Sequence, residues 1–106
     1  MGDLPPGNTV SLSLLGWTYA VSGEKANAQS VLDKLNKLSE REYVPEYFKV
    51  RIYAGLHEKD RAFERLDKGY ENHDLTITSI KVNPEVDPLR SDPRFPKLLR
   101  RMNIQP

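Results

Sequence analysis

Cysteine is absent from the 106-residue sequence, and its absence removes several kinds of chemistry. Disulfide bonds, thiolate zinc sites and cysteine nucleophiles are excluded, and a reducing cytoplasm is the natural setting for such a chain. His57 and His73 remain as soft metal ligands, and no third ligand stands at metal-site spacing from them. We therefore predict no metal site and no cofactor.

Long apolar runs are also missing. No stretch approaches the roughly 20 apolar residues that span a bilayer. The opening MGDLPP lacks the basic-then-apolar order of a signal peptide. We expect a cytoplasmic protein that makes no membrane contact, and at this length we expect one domain over residues 1–106.

Catalytic patterns are missing as well. No serine stands in a nucleophile elbow, and there is no glycine-rich phosphate loop. The acidic residues Asp87 and Asp92 each precede a proline, which is typical of turns and helix starts rather than of paired catalytic carboxylates. We predict that the protein is not an enzyme.

The charge is nearly balanced, with 16 Lys and Arg against 15 Asp and Glu, so no overall field attracts nucleic acid. Near the C-terminus, Arg94, Lys97 and Arg101 recur at spacings of three and four and form a candidate anion-binding stripe on a helix. The same stripe is also typical of a solvated helix surface whose cations oppose the helix dipole. The near-zero net charge and the lack of interleaved aromatic residues favour this second interpretation over nucleic-acid binding.

The sequence does contain an internal repeat of 34 residues. Tyr19 recurs as Tyr53, Ala28 as Ala62, and Leu32 as Leu66. Gly23 and His57 occupy equivalent turns between predicted helices. A period of this length predicts units of two antiparallel helices, with the alanines where the helices cross closely.

Helical periodicity supports these units independently. Apolar residues recur at spacings of three and four over residues 24–39 and again over residues 60–70. Pro45 suits the first turn of a helix that runs through Leu56, and Asn8 or Thr9 suits the N-cap of the first helix.

After Asp74 the period fails in a proline-rich stretch. We predict a short helix near residues 75–81, an irregular turn, and a last helix with Asp92 as its N-cap that runs to about Met102. Its apolar face would close the open end of the second hairpin. Taken together, the patterns predict an all-α fold with antiparallel helical hairpins over residues 9–42 and 43–76 and a capping segment over residues 77–106.

The first repeat also carries part of a known consensus. Leu12, Leu15, Gly16 and Tyr19 stand at the spacing W-x2-L-G-x2-Y, with leucine in place of tryptophan, whereas the second repeat departs from it at Glu46, Lys49 and Val50. The chain therefore resembles the tetratricopeptide-repeat (TPR) family. The stretches RIYAGL, EKDRAF and DPLRSDPRF resemble the C-terminal TPR segments of multidomain bacterial signalling and regulatory proteins.

The resemblance implies a right-handed α-solenoid that binds a protein or peptide, as a fragment of a larger regulatory protein. It places the partner in a concave groove lined by the first helix of each hairpin. The implied partner-binding residues are Val10, Ser13, Trp17, Val21, Val44, Tyr47, Arg51 and Ala54.

Two of these residues have the strongest binding chemistry, and each has an alternative. Trp17 would face away from the core as an anchor, or be covered by the N-terminal arm or by Tyr47. Arg51 would hold a carboxylate or phosphate with its planar fork, or pair with Glu46 or Glu58 on the surface.

Two other functions stay open at this point. Exposed solenoid ends could stack on a second copy and form a homo-oligomer, or the basic C-terminal helix could bind phosphate groups.

Overall fold

The computed structural model describes residues 9–102, and these residues form helices joined by turns, with no β-strand among them. Four helices come first: α1 (Thr9–Val21), α2 (Lys25–Ser39), α3 (Glu46–Gly55) and α4 (Lys59–Glu71). Two 3-10 helices follow, Leu75–Lys81 and Pro84–Val86, and then α5 (Asp87–Arg90) and α6 (Arg94–Arg101). The predicted all-helical fold is confirmed. Within this part of the chain, no helix has the length and apolar character needed to cross a bilayer.

The predicted helix ends agree with the structure to within a residue or two. Helix α3 begins just after Pro45, and the short helix predicted near residues 75–81 is a 3-10 helix. The N-cap position of α6 is Pro93, one residue after the predicted Asp92, but the Asp92 carboxylate still accepts the backbone N–H of Arg94 at 2.9 Å. Asn8, the other candidate cap of α1, lies outside the described residues.

The first four helices pack as two hairpins. Helix α1 packs on α2, α3 packs on α4, and α1 also packs on α3. The residues paired by the 34-residue period occupy the same place in both hairpins, since Ala28, Leu32, Ala62 and Leu66 are all completely buried. The repeat in the sequence is therefore a repeat of core positions.

Glycines set the distance between α1 and α3. A Cβ atom on Gly16 would lie 2.6 Å from Ile52 Cδ1 and 2.8 Å from Val31 Cγ1, and one on Gly55 would lie 2.9 Å from the Ala20 Cβ. These separations are shorter than carbon atoms tolerate, so larger residues would push the two helices apart.

Helices α1, α3 and α4 end in the same way. Each ends at a left-handed residue: Gly23 (φ 83°), His57 (φ 61°) or His73 (φ 58°). That residue donates its N–H to the carbonyl three positions back, and the next residue donates to the carbonyl five positions back. This is the Schellman motif, in which glycine is the usual left-handed residue. Both histidines therefore hold positions that favour glycine.

We expect His57→Gly to raise the free energy of unfolding by about 1 kcal/mol, because glycine adopts positive φ without the steric cost that histidine pays. Gly23→Ala should lower it by a similar amount, although a Cβ at Gly23 would meet no atom within 4 Å. Urea unfolding followed by circular dichroism measures both changes. If both substitutions changed the free energy of unfolding by the same amount in the same direction, the assignment of His57 to the left-handed position of a Schellman motif would be contradicted.

Candidate functional site

The face of α3 that the sequence predicts as half of an open groove is covered by the chain itself. Both 3-10 helices and α5 pack against α3. Their apolar side chains Ile77, Ile80, Val86 and Leu89 are between 0% and 3% exposed, so the proline-rich segment is part of the core. The segment from residue 75 to residue 90, called here the return segment, folds back because it carries apolar residues that need burial.

The predicted groove residues therefore differ in whether a partner could reach them. Ser13, Val44, Tyr47 and Ala54 are buried, with exposures between 0% and 6%, and they offer no surface to a partner in this arrangement. Arg51 is largely enclosed as well. Val10 and Val21 are exposed at 47% and 53%, and Trp17 is half-buried.

Arg51 lies at the centre of an internal polar cluster. Its Nη1 donates to Ser13 Oγ at 3.1 Å, and its Nε lies 3.0 Å from Glu85 Oε1 in the return segment. That ion pair is close but not aligned as a hydrogen bond, and Nε has no hydrogen-bond partner among residues 9–102. The guanidinium carbon also lies 5.0 Å from the centroid of the Tyr47 ring. Neither Glu46 nor Glu58 is its partner, since these pair with Arg65 and Arg61.

Tyr47 completes the cluster. Its hydroxyl donates to Glu85 Oε1 at 3.0 Å. Burial raises the pKa of Tyr47 well above its usual range, and the nearby Glu85 carboxylate adds to the effect, so the phenol keeps its proton and remains a donor. Glu85 thus accepts from Tyr47 while it pairs with Arg51, and the cluster fastens the return segment to α3.

A second polar junction joins α3 to the first 3-10 helix. The Asp74 carboxylate accepts from the Glu46 N–H (3.0 Å), the Thr76 N–H (2.9 Å) and the Tyr43 hydroxyl (2.8 Å). It therefore caps two helix starts at once. Burial alone would raise the pKa of Asp74, but the hydrogen bonds from Glu46, Thr76 and Tyr43 outweigh burial and lower it.

Two of the three residues of the predicted basic stripe pair with other residues of the chain. Two of its arginines each pair with an aspartate of α4 that lies 34 residues earlier, and each stacks on an aromatic ring of α4. The sets are Arg94 with Asp60 (2.9 Å) and Phe63 (4.5 Å), and Arg101 with Asp67 (3.2 Å) and Tyr70 (4.6 Å). These contacts hold α6 beside α4, and of the predicted stripe only Lys97 is exposed without such a contact among residues 9–102.

One face of α1 is apolar and exposed. Val10, Leu14 and Val21 are 47%, 42% and 53% exposed, and Trp17 lies at the edge of the same face. At 100° per residue these four residues fall within an arc of about 60°. Helix α1 has no charged residue along its 13 positions. We call these four residues the α1 surface.

Next to the α1 surface lies a cleft of about 370 Å³. Trp17 and Val21 form one wall, and Pro84 and Pro88 of the return segment form the other. The left-handed residues Gly23 and His57 also line it. The site that the structure assembles from the predicted set is therefore Val10, Trp17 and Val21 together with Leu14, which the sequence did not single out.

Comparison with family models, curated proteins and solved structures found no match to the chain. Within residues 9–102, no group of three or more His, Cys, Asp or Glu side chains is arranged to hold a metal ion.

Removing the acidic member of the internal cluster should destabilise the fold. Glu85→Ala would leave the Arg51 guanidinium buried without its counter-ion, at a cost of about 3 kcal/mol. Adding Arg51→Leu to that variant should recover part of the loss, because the unpaired charge is then gone. A double-mutant cycle by urea unfolding measures the coupling. Strictly additive effects would show that the pair does not act as a unit.

The Asp74 junction should give an acid-sensitive contribution to stability. The carboxylate titrates near pH 3.8 in the unfolded chain and lower in the folded one, so its stabilisation is complete above pH 3.8 and lost as the pH falls through the folded-state value. Asp74→Asn should lower the free energy of unfolding by about 2 kcal/mol at pH 7 and flatten its decline between pH 5 and pH 2. Glu64→Gln, at an exposed position on α4, is the matched control and should leave the profile nearly unchanged.

Proposed function

We propose that this chain is a protein-interaction module of the TPR type and that its partner packs on the α1 surface. The observation that carries the proposal is an uncharged helix whose free face exposes Val10, Leu14 and Val21 beside Trp17. Contiguous exposed apolar surface is typical of protein interfaces, and tryptophan is enriched among the residues that dominate binding energy.

The packing order of the helices supports the repeat architecture. Contacts of α1 with α2, of α3 with α4 and of α1 with α3 are those that stacked helical hairpins make. In a right-handed solenoid of this kind, the first helices of the hairpins line one side. In this chain the return segment occupies that side at α3, so the proposed binding site moves from the groove centre to the exposed face of α1.

The phosphate-binding alternative has less support. Arg94 and Arg101 already meet Asp60 and Asp67, so an incoming phosphate would compete with internal carboxylates. Association of two copies through α1 is a variant of the same apolar surface, and the state of association of the purified chain distinguishes it.

The proposal is tested by placing charges on the α1 surface. A Leu14→Glu, Val21→Glu double variant should lose the proteins that the unmodified chain retains from a lysate of the source cells. Once a partner is purified, its affinity should fall by about 100-fold, because each substitution replaces apolar contact worth about 1.4 kcal/mol or more with a desolvated charge.

The matched control carries the same charges on other exposed apolar residues. Leu75 and Val82 are each 79% exposed and lie in or next to the first 3-10 helix, away from α1. Leu75→Glu, Val82→Glu should retain the partner. Circular dichroism must show both variants folded. Equal retention by the two double variants would refute the α1 surface as the binding site.

A further inference from the structure

The contact between α3 and α1 shows how one hairpin docks on another in this chain. At the centre of the contact, Phe48 meets Ser13, Ile52 meets Gly16, and Gly55 meets Ala20. Trp17 and Val21 also lie close to Gly55. The three central residues on the α1 side are small, and Ser13 Oγ donates to the Phe48 carbonyl at 3.4 Å. A face of small residues thus receives the next helix at close range.

The same docking positions recur on the free side of α1. Thirty-four residues before Phe48, Ile52 and Gly55 stand Leu14, Thr18 and Val21, and all three are exposed. These exposed positions of α1 are therefore the repeat-equivalents of the positions with which α3 docks, although Val21 also lies near Gly55 at the end of the α1–α3 contact. Two of its three members are apolar and carry exposures of 42% and 53%.

We infer that the α1 surface docks a helical hairpin of another protein, whose first helix presents small uncharged residues at the spacing of Ser13, Gly16 and Ala20. This inference rests on the proposed function and specifies the partner. Helix α1 carries no charge, so a charged facing helix would lose hydration and gain no counter-ion. Small facing residues let Leu14 and Val21 reach the partner backbone, as Ile52 reaches Gly16.

A second copy of this chain does not fit as well. Its own small-residue face is already covered by α3, since Ser13, Gly16 and Ala20 are all buried. An extended peptide fits less well too, because the hydrogen-bonding groups in the middle of a helix are used within the helix and cannot pair with another backbone. A helical hairpin fits best, because the contact between α3 and α1 already shows one hairpin docked on another in this chain.

The test uses the chain's own first hairpin as the probe. A second copy of residues 9–42 is joined directly in front of Thr9 of the chain, which continues the 34-residue period and places a second small-residue face beside the α1 surface. If the surface accepts it, the extended chain should unfold in one transition. The slope of its free energy of unfolding against denaturant concentration should rise by roughly a third, in line with the added surface. The denaturant concentration at the midpoint of unfolding should also be higher.

The specificity of docking is tested in the extended chain. Leu14→Glu with Val21→Glu in the original copy alone should uncouple the added hairpin and return the denaturant dependence to that of the unextended chain. In the extended chain without those two substitutions, Leu75→Glu should leave the added hairpin coupled. An added hairpin that stays uncoupled without any substitution would overturn the inference.

Size-exclusion chromatography with light scattering adds a second criterion. A monomeric unextended chain supports the inference. A dimer that Leu14→Glu dissociates would overturn it in favour of a second copy as the occupant. If the hairpin does not dock but the lysate partner is still lost from the Leu14→Glu, Val21→Glu variant, the proposed function stands and this identification of the partner fails.

Discussion

The burial of α3 on all sides is the constraint on which the rest of the structure depends. Seven of its ten residues are buried, and α1, α2, α4, both 3-10 helices and α5 pack on it. A helix in this position has no free face, so each neighbour must match its shape. Gly16 provides the close approach of α1 to α3. Gly69 of α4 lets the first 3-10 helix approach α4 closely, since a Cβ there would lie 2.6 Å from Ile77 Cγ2. The space left around α3 determines where the proline-rich segment can go.

Burying Arg51 within this packing requires a partner for its charge. Desolvating a guanidinium costs several kcal/mol unless a counter-ion and hydrogen bonds replace water. Glu85 of the return segment and Ser13 of α1 supply these, at 3.0 Å and 3.1 Å. The charged pair adds a specific point of attachment to the shape-matched apolar packing of the return segment on α3. The cluster therefore contributes to a unique arrangement as well as to stability, and the same groups are then unavailable to a ligand.

The hairpins could be predicted from the sequence because their signals are local. Ala28 and Ala62 mark helix crossings by their size, and the short turns at Gly23 and His57 leave few other ways for the helices to pair. The groove residues could not be assigned correctly from the repeat alone, because the outcome depends on a segment outside the repeat. Glu85 is 34 positions from Arg51 but belongs to no third hairpin, and nothing local to it indicates a buried ion pair. Leu14 could have been found from its equivalence to Phe48.

The two faces of α1 explain why this helix carries no charged residue. Its inner face needs small residues, since Gly16 and Ala20 set the distance to α3. Its outer face repeats the docking positions of α3 and so remains apolar. Lysine or glutamate in place of Leu14 would improve solubility at little cost to the internal packing. Leu14, at 42% exposure, therefore adds little to the stability of the described chain, whereas Val21 also lies against Gly55 of α3. An exposed apolar row of this kind is best explained by contact with a partner.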